Sequence, residues 1–256
     1  MPTAQINGIN LYYEVHGEGP AVIFLHGSGG NHVIWWQQVG YFKERYKTVT
    51  VDLRGFGKSD QGEGGPDALQ FPADVIGLMD HLKIEKAAVV GQSLGATAVL
   101  RLAVSYPRRM AAVILCASAG NMNHAELSDF TAADRRQADE LQVLDRLMSK
   151  TFQQRDPDMT WLFQQLGTFN AAGHGLVHNA TKKGPTPEEV AASKVPVHFI
   201  VGDKDAVLSL KTMRFAHQLV PGSTLNIVPN APHSLYWENP SVFNCVVDQY
   251  LRTVFD

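Results

Sequence analysis

Six apolar, β-type runs punctuate the chain, at residues 21–25, 48–53, 87–90, 111–117, 195–201 and 224–228. Most are continuously hydrophobic rather than alternating, as strands covered on both faces of a parallel sheet are. Two shorter strands precede them, one at Ile6 and one over residues 9–15, joined through Asn7-Gly8, a dipeptide suited to a tight hairpin turn. Between the runs lie amphipathic helical patterns over residues 73–82, 94–106, 207–219 and 241–254. In the first of these, Val75, Leu78, Met79 and Leu82 share a face. Pro107 ends the second, and Pro240 sits where a first-turn proline belongs in the last. Strand–helix alternation of this kind predicts an α/β domain with an eight-stranded, mostly parallel, doubly wound sheet.

The alternation stops between residues 121 and 192. No convincing strand occurs there, but helical segments do. Thr131-Ala-Ala-Asp134 and Thr186-Pro-Glu-Glu189 both have the shape of a capping box. Residues 131–154 place Ala138, Leu141, Leu144, Leu147 and Met148 near one face, and a shorter segment around Trp161 and Leu166 follows Pro157. We therefore expect a core formed by residues 1–120 and 193–256. A helical cap, residues 121–192, is inserted between two of its strands, over their C-terminal ends, where open α/β sheets bind ligands.

Composition narrows the partners. The 256 residues carry 22 Lys+Arg and 25 Asp+Glu, a formal net charge of −3, which supplies no basic footprint for nucleic acid. Two cysteines, Cys116 and Cys245, make neither a disulfide framework nor a four-thiolate zinc site. No apolar run approaches the roughly 18 residues of a membrane span, and the first residues lack the basic-then-apolar order of a signal peptide. The expectation is a cytoplasmic protein, monomer or homodimer, acting on a small molecule without a metal or organic cofactor.

Gly91-Gln-Ser-Leu-Gly95 carries the chemistry. It fits G-x-S-x-G directly after a β run and directly before a helical pattern, the context in which that motif presents a nucleophile, here Ser93. A serine hydroxyl needs a base within hydrogen-bond reach and a group orienting that base. Among ten histidines, His233 stands in a loop after the last strand and before the last helix, at the sheet edge that Ser93 shares. His198 falls inside a strand, His81 and His217 on helices behind the sheet, and His16 and His32 in loops. His174 and His178 lack a placed carboxylate partner for a metal site. For the orienting acid, Gly202-Asp-Lys-Asp205 offers Asp203 and Asp205, which position does not separate. Oxyanion donors are expected from the backbone N–H of Leu94 and from the glycine-rich turn His26-Gly-Ser-Gly-Gly30, at Ser28 or alternatively Gly29.

Together with the segment Asp52-Leu-Arg-Gly-Phe-Gly-Lys-Ser-Asp60, these motifs resemble in content and order those of the α/β-hydrolase superfamily, over nearly the whole chain. The resemblance implies the α/β-hydrolase fold, selects Asp205 over Asp203 as the acid of a Ser93–His233–Asp205 triad, and supports the cap assignment. It also implies that Arg54 anchors its loop by charge-assisted hydrogen bonds. Small-cap members include esterases, enol-lactonases and meta-cleavage C–C hydrolases. Ser28-Gly-Gly-Asn31 replaces the Gly-Pro-Gly run usual in the last group, and Gln92 stands where many relatives have His or Asn. The expected activity is hydrolysis of a small carboxylic ester or lactone. C–C bond hydrolysis, cofactor-free haloperoxidase or perhydrolase chemistry, and a hydrolase-like small-molecule sensor are the alternatives. Candidate pocket residues are Gly29, Trp35, Trp36, Phe130, Trp161, Phe163, Phe169 and Tyr236.

Overall fold

A computed structural model describes residues 2–170 and 177–256. Eight strands form one sheet: β1 (Thr3–Ile6), β2 (Ile9–His16), β3 (Ala21–Leu25), β4 (Lys47–Val51), β5 (Ala87–Gln92), β6 (Met110–Cys116), β7 (Val197–Gly202) and β8 (Thr224–Val228). Their spatial order is β1-β2-β4-β3-β5-β6-β7-β8. β1, β2 and β4 pair antiparallel, through the Asn7-Gly8 turn in the first case, and every later pairing is parallel. Hence β3, β4, β5, β6, β7 and β8 all end at one edge.

The continuous apolar runs have the cause expected of them. In β3, Ala21, Ile23 and Leu25 enter one core while Val22 and Phe24 enter the other, and β5 divides Ala87 and Val89 from Ala88 and Val90 in the same way. A period of two places successive side chains on opposite faces, so a strand covered on both sides needs apolar residues at every position. One face carries α2 (Phe71–His81), α3 (Leu94–Ser105) and α9 (Leu210–Gln218); the other carries α1 (Trp36–Phe42), α10 (Leu235–Glu238) and α11 (Pro240–Phe255). No helix among the described residues is long and apolar enough to cross a membrane.

Between β6 and β7 come α4 (Ala125–Asp139), α5 (Val143–Leu147), α6 (Lys150–Arg155), α7 (Pro157–Gly167) and α8 (Pro187–Ser193). Backbone and side-chain bonds tie this segment to the strand-end loops: Ser234 N–H donates to Leu147 O (3.0 Å) and Asn31 Nδ2 to Leu166 O (2.8 Å). α4 sends Leu127 into the core of one face of the sheet, and α8, packed against α3, sends Val190 into the same core. Thr186 and Glu189 form the capping box that starts α8.

The other expected capping box does not cap. Thr131 lies inside α4, its hydroxyl bonded to Leu127 O, and the N-cap is His124. Asp134 instead accepts from Ser209 N–H (2.8 Å) and Thr212 Oγ1 (2.6 Å), serving the start of α9 from a different element. The short helices α1 and α10 have no counterpart in the sequence pattern. In α1 the buried positions are Gln38 and Phe42, and the Gln38 amide donates to Tyr236 O and Asn244 Oδ1. An element anchored by a buried amide presents no apolar stripe to find.

Candidate active site

The loop at each strand end sets one part of the site. Ser93 follows β5 at φ 50° and ψ −110°, outside the regions a side chain ordinarily occupies. Its N–H donates to Cys116 O at the end of β6 (3.0 Å). The flanking glycines are required by close approach. A Cβ on Gly95 would stand 2.5 Å from Leu25 O, and one on Gly91 would stand 2.6 Å from the Gly95 carbonyl carbon. Leu94 opens α3, so its N–H belongs to the first-turn donors that a helix leaves without an internal partner.

His233 lies in the loop after β8 and is 3% exposed; its Nδ1 stands 3.0 Å from each oxygen of Asp205, in the loop after β7. The same carboxylate accepts from the Val207 and Leu208 N–H groups (2.8 and 2.9 Å), which fixes it in place. Asp203 faces elsewhere, accepting Asn230 N–H (2.7 Å) at the start of the His233 loop. Geometry thus distinguishes the two carboxylates that spacing left open. A Cβ on Gly202 would lie 2.0 Å from Ala231 O, so the two loops meet only because that side chain is absent. Between Ser93 and the acid lies Cys116, whose thiol is pushed up by burial and by the Asp205 charge and stays protonated.

After β3, Gly27–Gly30 is a turn closed by Gly30 N–H to Gly27 O (3.1 Å), with Gly29 at φ 91° as such a turn demands of its third residue. It lies against Ser93: a Cβ on Gly27 would be 3.1 Å from that of Ser93. His26 is wholly buried, and burial lowers its pKa, so the ring is neutral. Its Nδ1 donates to Gly27 O (2.8 Å) while Nε2 accepts Leu53 N–H (3.0 Å), which fixes the tautomer.

The segment after β4 is scaffold. Asp52 accepts the His32 N–H and ring Nδ1 (2.5 and 2.8 Å) and the Lys58 N–H (2.9 Å). Burial alone would raise its pKa, but the bond and charge of His32 outweigh it and the carboxyl is held below its ordinary value. Arg54 meets Asp74 through two bonds, at 2.9 and 2.7 Å, both side chains being buried. Its role as a loop anchor is the one expected. His32 is no free loop residue: it begins a 3₁₀ turn (His32–Trp35) and is buried, while His16 ends β2. His198 donates or accepts at Thr224 Oγ1 and stacks on Tyr250, and His81 meets the Tyr13 hydroxyl. His174 lies outside the described residues; His178 pairs by backbone with the loop before α2.

The candidate pocket residues separate into four groups. Gly29 is the third residue of the turn after β3. Trp35, at 0% exposure, meets no cavity that water enters; its ring packs among Phe24, Tyr236 and Phe243, and Tyr236 is buried in the same cluster. Phe130 packs edge-on to Phe215 beneath Lys211, and Phe163 edge-on to Trp237. Trp36, Trp161 and Phe169 are exposed, the last two by 61% and 66%. Trp35, Tyr236, Phe130 and Phe163, expected to line a pocket, pack between elements. Aromatic residue type does not distinguish these two uses.

A model of the α/β-hydrolase fold family matches residues 20–240. The chain belongs to this family. Among its relatives, a 3-oxoadipate enol-lactonase of Acinetobacter baylyi is 28% identical over 98% of this chain and 95% of its own. The crystal structure of the enol-lactonase from Burkholderia xenovorans superposes with a TM-score of 0.83 at 26% identity, covering 98% of this chain and all (100%) of the other. A thermophilic esterase from Thermogutta terrifontis shares the fold at a TM-score of 0.83 and 23% identity, over 99% and 97% of the two chains. This α/β hydrolase therefore shares its fold with them over nearly its whole length. Sequence reasoning did not find one residue at this edge. Asn170 bonds both to the Gly27–Gly30 turn and to the loop after β4, and lies beyond any motif.

Proposed function

We propose that this α/β hydrolase cleaves a small carboxylic ester or lactone through an acyl-enzyme, with Ser93 as nucleophile, His233 as base and Asp205 as the acid that orients it. The observation that carries the reading is the pairing of His233 Nδ1 with both oxygens of Asp205, on strand ends shared with a serine in a strained strand-to-helix turn. Asp205 occupies Nδ1, so Nε2 takes the Ser93 proton as Oγ attacks the carbonyl carbon. The carbonyl electrons move to an oxyanion that accepts the N–H groups of Ser28 and Leu94. Collapse breaks the bond to the leaving oxygen, which takes the proton from His233. Water, deprotonated by the same imidazole, then attacks the acyl carbon, and loss of Ser93 Oγ releases the acid. All the groups this sequence requires are supplied by the chain, so it calls for no metal or organic cofactor. The enol-lactonases among the relatives support the inclusion of lactones in the substrate class.

The test combines a fluorophosphonate probe with a short nitrophenyl ester and an enol-lactone. The protein is expected to be labelled at Ser93 and to turn over repeatedly. Ser93→Ala should abolish both, and turnover surviving that change would overturn the mechanism. Asp205→Asn is expected to lower kcat by about 10⁴-fold, the scale seen when a triad acid loses its charge. Asp203→Asn should leave kcat within about threefold, since a backbone contact of that kind is not made to the reacting groups. Labelling followed by a single release of product would identify a sensor instead of an enzyme.

A further inference from the structure

A turn built as Gly27-Ser-Gly-Gly30 has little shape of its own, because three of its four residues rotate freely. Something outside it must fix the angle of the Ser28 N–H. His26 Nδ1 and Gly30 N–H hold the Gly27 carbonyl. The other end is held from the inserted helices. Asn170, three residues beyond the end of α7, donates from Nδ2 to Gly29 O (3.0 Å) and accepts Gly57 N–H at Oδ1 (2.9 Å). It bridges the proposed oxyanion turn to the rigid loop after β4, where Asp52 takes the neighbouring Lys58 N–H. The seat is close: a Cβ on Gly167 would be 3.3 Å from the same Gly29 oxygen, and Asn31 Nδ2 holds Leu166 O alongside.

We infer that Asn170 is a positioning residue for acyl transfer: by fixing the Gly29 carbonyl it holds the preceding peptides so that the Ser28 N–H points at the developing oxyanion. The inference rests on the serine-hydrolase reading above. The Gly29 carbonyl and the Gly30 N–H belong to one planar peptide, and the Gly27 carbonyl and the Ser28 N–H to another, so Asn170 steadies the Gly30-to-Gly27 bond that sets the Ser28 N–H. Released at Gly29, the first peptide can rotate and that bond loosens, and an oxyanion donor works only when aimed before charge develops.

The experiment compares Asn170→Ala, Asn170→Ser and Asn170→Asp with the unaltered protein and with Asn179→Gly. The last removes the bonds from the inserted segment to Asp67, and glycine suits the positive φ of Asn179. Losing a donor outright costs about 10²–10³ in kcat; a donor left in place but unaimed should cost about 10-fold, with KM within twofold. Asn170→Asp still accepts Gly57 N–H but turns an oxygen toward Gly29 O, so it should fall at least as far as Asn170→Ala. Inhibition by a trifluoromethyl ketone, whose serine adduct bears the oxyanion, should weaken in parallel with kcat/KM, while inhibition by the product acid stays constant. Asn179→Gly should change neither. Unchanged kcat, a loss confined to KM and acid binding, or an equal loss in Asn179→Gly overturns the inference. Should Asn170→Ala fail to fold, Asn170→Ser and Asn170→Asp carry the comparison. Loss of activity in Ser93→Ala with full kcat in all three Asn170 variants refutes only this inference; activity in Ser93→Ala refutes the reading beneath it.

Discussion

Ser93 illustrates how one residue's backbone is set by its neighbours' lack of side chains. A non-glycine residue in such a conformation costs about 1–3 kcal/mol and persists only where its surroundings enforce it. The enforcing contacts here are the Cys116 carbonyl and the glycines at 91 and 95. Two alanine substitutions should separate position from stability. In Gly95→Ala the new methyl meets main-chain oxygens of Leu25 and His26 at 2.5 and 2.7 Å, and main chain cannot step aside cheaply. We expect a loss of about 1–3 kcal/mol in urea denaturation. In Gly27→Ala the methyl meets the far end of Gln92, at 2.0 Å, and Ser93 Cβ at 3.1 Å. The fold should survive while kcat for a nitrophenyl ester falls more than about tenfold, since misplacing a reacting group by an ångström has effects of that order. Ser93 and His233 stand out in the sequence because a local motif and a chain position mark them. Spacing alone left Asp203 and Asp205 open, for two carboxylates in one loop differ in which neighbouring loop each faces, and only the family resemblance selected Asp205. Asn170 was invisible, since its partner Gly29 is 141 residues away.

At the scale of elements, the strands were readable wherever both faces are covered, and the helices wherever an apolar stripe meets the sheet. Failures came where polar side chains join elements. Asp134 looked like part of a cap for its own helix and instead accepts from Ser209, the N-cap of α9, and from the Thr212 hydroxyl, and Gln38 anchors α1 by its amide. Neither partner is near in sequence. Asp134→Ala should lower stability by about 1.5–3 kcal/mol, the scale of hydrogen bonds to a charged group, with kcat unchanged. Thermal unfolding and a parallel ester assay measure the two effects.

Across the whole molecule, the sheet separates two cores, and His198 is buried between β7 and α11 with its ring stacked on Tyr250. Burial lowers its pKa to about 4, far below the value near 6.5 of an unfolded chain. The folded form thus binds fewer protons than the unfolded one between these values. Stability from this residue is complete above about pH 6.5 and declines by about 3 kcal/mol as the pH falls to about 4, below which it levels off. His198→Phe, which keeps a ring against Tyr250 but takes no proton, should lack that acid decline in denaturation midpoints measured from pH 7 to pH 4. An unchanged slope would assign the acid sensitivity to other groups. The doubly wound architecture was foreseeable from the runs of apolar residues, because burial on two faces leaves no polar positions in a strand.

The two cysteines differ in a practical respect. Cys116 is closed in at the centre of the sheet, its sulfur kept protonated, whereas Cys245 faces outward on α11. A maleimide dye or a gold surface should therefore find one attachment point per chain, on the helix layer. Tethered there, individual molecules can be supplied with dissolved esters, and single-molecule turnover becomes measurable on the unmutated sequence.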